Sequence, residues 1–387
     1  MPPNTRGDER TPQARKGRGA LSNVESRFDA WTRVREPLDA EHQDLHHPEG
    51  TGAAPAGEDD VLPPAPTVVI PVPVRVIISR NRSPDIPFDQ SVNPYQGCEH
   101  GCVYCYARPT HAYLGLSPGL DFERRIFAKT DAAARLRAEL SRPGYQPGLI
   151  ALGANTDPYQ PAERKLRITR DVVAVLAQAR LPFCIVTKSA LVTRDIDLLA
   201  PAAAQGRTRV FISMSTLDAT LARELEPRSP SPERRLQAMR QLAQAGVPVG
   251  VFCSPLIPAL NDRHLEQVLK AARQAGASSA SYVMLRLPLE VRDLFVQWLQ
   301  AHVPERAEHV MSLVRQMRDG RDNAWEFGQR MKGNGPYADL LNQRFHLAAR
   351  RLGLATRLPP MSTAGFRAPP RAAEAAPAGQ SAQLRLF

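Results

Sequence analysis

With 387 residues, 43% of them hydrophobic, the chain can bury one large core, and it contains no apolar run long enough to span a bilayer. Fifty Lys and Arg against 39 Asp and Glu leave a formal charge of +11, which suits a polyanionic partner, although an Arg-rich composition with no nucleic acid behind it gives the same sum. Five cysteines, an odd number, without a stretch resembling a secretory signal, argue against a disulfide framework; a cytoplasmic location away from membranes is expected.

Residues 1–75 are rich in Pro, Gly and charge and lack sustained periodicity, so they read as a disordered or loosely packed arm. Within them KGRGALSNVESRFDAW combines Arg, Phe and Trp and is an island able to pack on a core.

Next comes NPYQGCEHGCVYCYARP, in which Cys98, Cys102 and Cys105 form a C-x3-C-x2-C triplet with Tyr104 before the last cysteine. Thiolates are the usual protein ligands of iron–sulfur clusters, and three of them leave one iron of a cubane without a protein donor. His100 and His111 make a Cys3His zinc site formally possible, but the paired spacing of such sites is absent. Cys184 and Cys253 stand alone in apolar runs, where a thiol packs as a small hydrophobe.

The triplet resembles the signature of the radical S-adenosylmethionine (SAM) enzymes. Over about residues 76 to 352 the resemblance is nearest to the branch containing spore photoproduct lyase, a DNA repair enzyme. It implies a 4Fe–4S cluster held by Cys98, Cys102 and Cys105, SAM chelated to the open iron, reductive cleavage of SAM to a 5′-deoxyadenosyl radical, and an electron donor such as flavodoxin or ferredoxin. The protein's part is to position these groups.

From 76 to 300, short β-branched runs alternate with helical periods, as in LIALGAN and TRDVVAVLAQAR, FCIVTKS and RDIDLLAPAAA, or RVFISMS and SPERRLQAMRQLAQAG. VPVGVFCSPLIP with HLEQVLKAARQAG, and SASYVMLRLP with LEVRDLFVQWLQ, continue the series. Such β-α units imply parallel strands with right-handed crossovers, an α/β barrel or an open sheet. With a strand just before Cys98 they number about six, which suits the partial (β/α)6 barrel that the resemblance implies.

In a barrel the site lies at the carboxyl ends of the strands. GANTDPYQPAE follows the second strand, and the resemblance implies that Thr156 and Asp157 meet the ammonium of SAM; the bare residues also read as a turn. Lys188, after FCIVT, is placed to pair with the SAM carboxylate. Ser213 and Ser215 share a strand face, with Ser213 the better match to ribose or carboxylate. Gly250 would let backbone approach the adenine, and Tyr104 would offer backbone contacts to it.

Spore photoproduct lyase carries a cysteine at the end of the second strand that returns a hydrogen atom to the substrate; here Gly153, Ala154 and Asn155 stand there. Cys253 could substitute only if it points into the barrel, and Tyr159 and Tyr282 are other conceivable donors.

Residues 301–358 turn to helices joined by FGQRMKGNGPY, whose Arg330 and Lys332 suit phosphates or an ordinary turn. Five cysteines are too few for an auxiliary cluster domain, which disfavours peptide maturation and leaves nucleic acid or a small metabolite as substrate, beside a non-catalytic metal protein. A Pro/Ala-rich tail, 359–387, closes on QLRLF. Gln383, Leu384, Leu386 and Phe387 resemble the peptide by which bacterial repair proteins dock on the DNA sliding clamp, so DNA is the nucleic acid this tail suggests.

Overall fold

A computed structural model describes residues 16–28 and 66–370. The clamp-like Gln383, Leu384, Leu386 and Phe387 lie outside the described residues.

Among the described residues ten strands form two sheets: β1 Val68–Val72, β2 Ile78–Arg80, β3 Gln90–Val92, β4 Tyr95–Gln96, β5 Arg125–Lys129, β6 Ile150–Leu152, β7 Phe183–Thr187, β8 Thr208–Ser213, β9 Val249–Leu256 and β10 Ser279–Met284. The larger sheet has seven strands in the order β10-β9-β8-β7-β6-β3-β2. Every pairing from β3 to β10 is parallel and only β2 runs antiparallel, so six parallel strands make the expected partial (β/α)6 barrel. Helices such as Ile168–Gln178, Pro232–Gln244 and Leu265–Gln274 return each strand to the next, and their apolar stripes pack on the outer face. Asp218 and Ser231 cap the helices Ala219–Leu225 and Pro232–Gln244 by accepting first-turn N–H groups.

The small sheet, β1-β5-β4, corrects the expected boundary at residue 75. Val68–Val72 pairs in parallel with all of β5, although Pro71 gives VVIPV the composition of a linker. On an edge strand a proline costs no ladder bond that faces solvent. The cysteine loop leaves from β4 and returns on β5, which pair antiparallel, so this sheet clamps both of its ends. The strand expected just before Cys98 is therefore two: β3 in the barrel and β4 in the clamp.

The helices Val291–His302 and Pro304–Gln316 pack around fully buried Trp298, in an apolar cluster that also takes in Ala20, Cys102, Val103 and Tyr104. The island at 16–28 thus packs on the core, against the cysteine loop. The helix Gly335–Leu352 lies on Leu265–Gln274 and touches Pro304–Gln316, and Phe345 meets Tyr282 of β10. Residues 359–370, expected as tail, run over the surface, where Phe366 packs on Tyr145 and Arg367 N–H donates to the Ala179 carbonyl. Among the described residues no helix is long and apolar enough to cross a membrane.

Candidate cluster and cofactor site

Gly97 opens the cysteine loop at φ +82°, where a side chain would strike the Arg125 and Phe122 carbonyls and the His111 ring. Cys98 N–H donates to Phe122 O at 3.0 Å, Val103 N–H to Leu225 O at 3.1 Å and Cys105 N–H to Cys102 O at 3.2 Å, which fixes the backbone around all three thiols. Arg108, with no exposed surface, is the inner strut: Nε donates to Cys102 O, Nη2 to Gly101 O, and Nη1 to Pro118 O and Gly119 O. Its charge is met by Glu123, whose carboxylate also accepts from Gly19 N–H at 3.1 Å and Ala20 N–H at 2.8 Å. The N-terminal island is thereby tied to the cysteine loop through one buried carboxylate.

Cys98 and Cys102 are buried, Cys105 is half-buried, and all three thiols are free. Burial pushes the Cys98 thiol well above its ordinary value and Cys102 up to about 12; the charges of the neighbouring cysteines add to the rise at Cys98, whereas Lys188 opposes it at Cys102. Three thiols that sense one another across a common space, with a cation beside them, fit a group that takes them as thiolates. His100 turns instead to Asp157, at 3.3 Å, and His111 Nε2 lies 3.1 Å from Arg125 O, so neither completes a Cys3His zinc site. Among the described residues no three His, Cys, Asp or Glu converge closely enough for a single ion. A polynuclear cluster, whose thiolates bind different irons, does not need that convergence.

Around the thiols stand residues from successive strand ends. Lys188, after β7, sends Nζ to Ser213 Oγ at 3.2 Å and lies 5.8 Å from the Tyr104 ring centre. Ser213 ends β8 and donates to Ser254 O. Burial would lower the Lys188 ammonium, but Cys102 and Glu226 raise it above its ordinary value, so it is held as a cation.

Glu226 and Arg235 were not legible as site residues. They form a buried ion pair that also takes the Tyr104 hydroxyl and the Ser215 hydroxyl, the latter at 3.1 Å. Nine residues apart in a segment crowded with charges, they give no sequence signal; Arg108, inside the cysteine stretch, was the more readable omission.

The turn after β6 departs from expectation in detail. Thr156 is buried and its hydroxyl donates to Tyr95 O at 2.9 Å, so it braces the turn. Asp157 accepts from the Thr187 hydroxyl at 2.6 Å, Lys188 N–H at 2.7 Å and Tyr159 N–H at 2.9 Å, and faces His100. Burial would raise this carboxyl, yet His100 and the donors from Lys188 and Thr187 hold it down at about 2. Asp157 thus couples the cysteine loop to β7 and positions Lys188. Tyr104 packs with its phenol on Glu226. The space Gly250 leaves is taken by the Phe211 ring rather than left open, since a Cβ would lie 2.6 Å from that ring.

No thiol stands where the second strand ends: Gly153, at φ +89° with a Cβ position 2.1 Å from Val186 O, has no room for a side chain, and Ala154 and Asn155 follow it. Ser213 is in register with Phe252, so Cys253, the next residue, points to the opposite, helix-packed face. The hydroxyls of Tyr159 and Tyr282 donate to Asp195 and Asn342, away from the thiols. Tyr106 reaches the strand-end turn instead: its hydroxyl donates to Ala154 O while its ring stays exposed.

The family model of the radical SAM superfamily matches residues 92–272. An uncharacterized protein of Mycobacterium tuberculosis strain H37Rv is 39% identical over 232 residues, 59% of this chain and 68% of the relative. Another of Methanocaldococcus jannaschii is 27% identical over 217 residues, 56% of this chain and 77% of that one. Among solved structures, spore photoproduct lyase complexed with dinucleoside spore photoproduct superimposes with a TM-score of 0.52 at 16% identity, covering 74% of this chain and 81% of that one. At this identity the likeness is one of fold.

Proposed function

The chain belongs to the radical SAM superfamily, and we propose that it applies the chemistry of that superfamily to nucleic acid, as a DNA-repair-like lyase. Its cofactors are the 4Fe–4S cluster and SAM of the superfamily. When bound, they supply one-electron cleavage of the sulfonium and a carbon radical able to take a hydrogen atom from substrate.

The residues divide that task as follows. Cys98, Cys102 and Cys105 hold the cluster, on a loop clamped by β4, β5 and Arg108. Lys188 and Ser213 receive the polar end of SAM, and Tyr104 offers backbone to its adenine. Thr156 and Asp157 shape the turn that borders it; Asp157 acts through the Lys188 N–H and His100.

The observation carrying the substrate reading is a charge of +11 on a chain whose fold matches an enzyme solved with a dinucleoside lesion. The test is the yield of 5′-deoxyadenosine from dithionite-reduced protein, with and without ultraviolet-irradiated DNA. We expect the lesion-bearing DNA to raise the yield and to lose an adduct; a yield indifferent to any DNA would overturn the reading. A tail ending in Gln383, Leu384, Leu386 and Phe387 would dock the enzyme on the bacterial sliding clamp, with a flavodoxin or ferredoxin as electron donor. A peptide spanning Ala378 to Phe387 should bind a clamp, and a Gln383→Ala, Phe387→Ala peptide should not.

A further inference from the structure

Arg286 lies two residues past the end of β10, the edge strand of the open barrel, and reaches across to the cysteine loop: its Cζ is 5.6 Å from the centre of the Tyr106 ring. Among the described residues its buried Nε finds no hydrogen-bond partner, and Nη1 meets only the Met331 Sδ, at 3.8 Å. Arg318, fully buried behind it, spends its guanidinium on two carbonyls, Leu285 O at 2.9 Å and Gln329 O at 2.8 Å. Among the described residues neither arginine has a carboxylate within ion-pairing distance.

Exposed Asp319 accepts, among the described residues, only from the Asn334 amide, and the other carboxylates of this region are already paired with other arginines. Asp85 is gripped by Arg330 at 2.7 Å, Asp322 by Arg292 and Arg315, and Glu326 by Arg321. A half-buried cation costs free energy unless an anion meets it, and a guanidinium meets phosphate with a matched fork of donors. Burial and the charge of neighbouring arginines hold both below the usual arginine value, Arg318 at about 10, a strain that an anion would relieve. The loop before residue 335, held to Arg318 through Gln329 O and to Arg286 through Met331, exposes Trp325 and Phe327 to more than half of their surface, and Arg330, already paired with Asp85, covers one face of the Phe327 ring at 4.7 Å. Exposed aromatics next to unneutralised cations are the means by which single-stranded nucleic acid is held: phosphate on the cation, bases on the rings.

We infer that Arg286 anchors a phosphate of a DNA strand at the edge of the barrel mouth, with Trp325 and Phe327 as the platform on which adjoining bases stack. This rests on the nucleic-acid reading above. It places the strand beside Tyr106, the residue that follows the ligand Cys105.

The experiment is fluorescence anisotropy of a labelled single-stranded DNA 12-mer with the full, anaerobically reconstituted chain, at several potassium chloride concentrations. Arg286→Gln should weaken binding about ten-fold and lower the salt slope by about one. Trp325→Ala should weaken it roughly ten-fold with the slope unchanged. Arg306→Gln, at a partly exposed position of the helix Pro304–Gln316, should leave both unchanged. Should Arg286→Gln lose its iron, Arg286→Lys decides, since it keeps the charge and the slope while losing the fork and part of the affinity. Binding with unaltered affinity and slope in the Arg286 variants overturns the anchor alone; no binding by the unsubstituted chain overturns the nucleic-acid reading and the anchor with it.

Discussion

Arg108 and Glu123 meet 2.5 Å apart in an ion pair with no exposed surface on either side chain. Arg108 holds the carbonyls of the cysteine loop and Glu123 holds the N-terminal island, so this contact joins a distant stretch of sequence to that loop. Removing one partner leaves the other charged and dry. Glu123→Gln should cost about 3–5 kcal/mol in urea unfolding. The exposed pair Arg240 and Glu233 is the control, since Arg240→Gln should cost under about 1 kcal/mol.

Gly19 is the steric key of the same junction. A Cβ there would lie 1.8 Å from Gly101 O, inside the cysteine loop, and backbone cannot yield as a side-chain tip does. Gly19→Ala should release the island, seen as proteolytic cleavage within residues 16–28, and speed iron loss to a chelator. Gly17→Ala, whose nearest neighbour is the Arg228 side chain at 3.9 Å, is strained only by its φ of +73° and should leave iron retention much closer to the unsubstituted chain.

Anaerobic reconstitution should load about four irons and four sulfides per chain. Alanine at Cys98, Cys102 or Cys105 should abolish the brown chromophore. Alanine at Cys184 or Cys253, buried in strands β7 and β9, should not. Stoichiometric zinc in place of iron would refute the assignment.

Lys188→Ala removes a cation from the site, and SAM affinity measured by calorimetry should fall by about 1.5–3 kcal/mol, the worth of a charge-assisted contact. Asp157→Ala should weaken SAM as well, through lost positioning of Lys188 and His100. Ser213→Ala should have a smaller effect. Unchanged affinity in both charged variants would move the pocket elsewhere.

Burial holds the His111 imidazole at about 4, below its ordinary 6.5, and its Nδ1 has no partner among the described residues. The folded chain therefore binds this proton less readily than the unfolded chain. The stability it contributes is complete above about pH 6.5 and is lost as pH falls towards 4, on the order of 3 kcal/mol over that window. His111→Gln should flatten that part of the profile in urea unfolding between pH 7 and 4; a profile parallel to that of the unsubstituted chain would contradict the argument.

The cysteine triplet was legible because spacing along one loop is a local property, and the β-α rhythm was legible because strand and helix periods are local too. The places of Lys188 and Ser213 at strand ends could be read as well, since strand ends meet on one face whatever the details of packing. Contacts between remote segments were not legible. That Glu123 would bind Gly19, that Glu226 and Arg235 would sit under Tyr104, and that Arg286 would cross from the last strand to Tyr106 each depend on how a curved sheet closes. Thr156 and Asp157 mark the boundary: their place at the strand end could be read from the chain, but which neighbours would take their hydrogen bonds was decided only when β6, β7 and the cysteine loop came together. A buried polar group must find its partner in three dimensions, and sequence records the group without the partner.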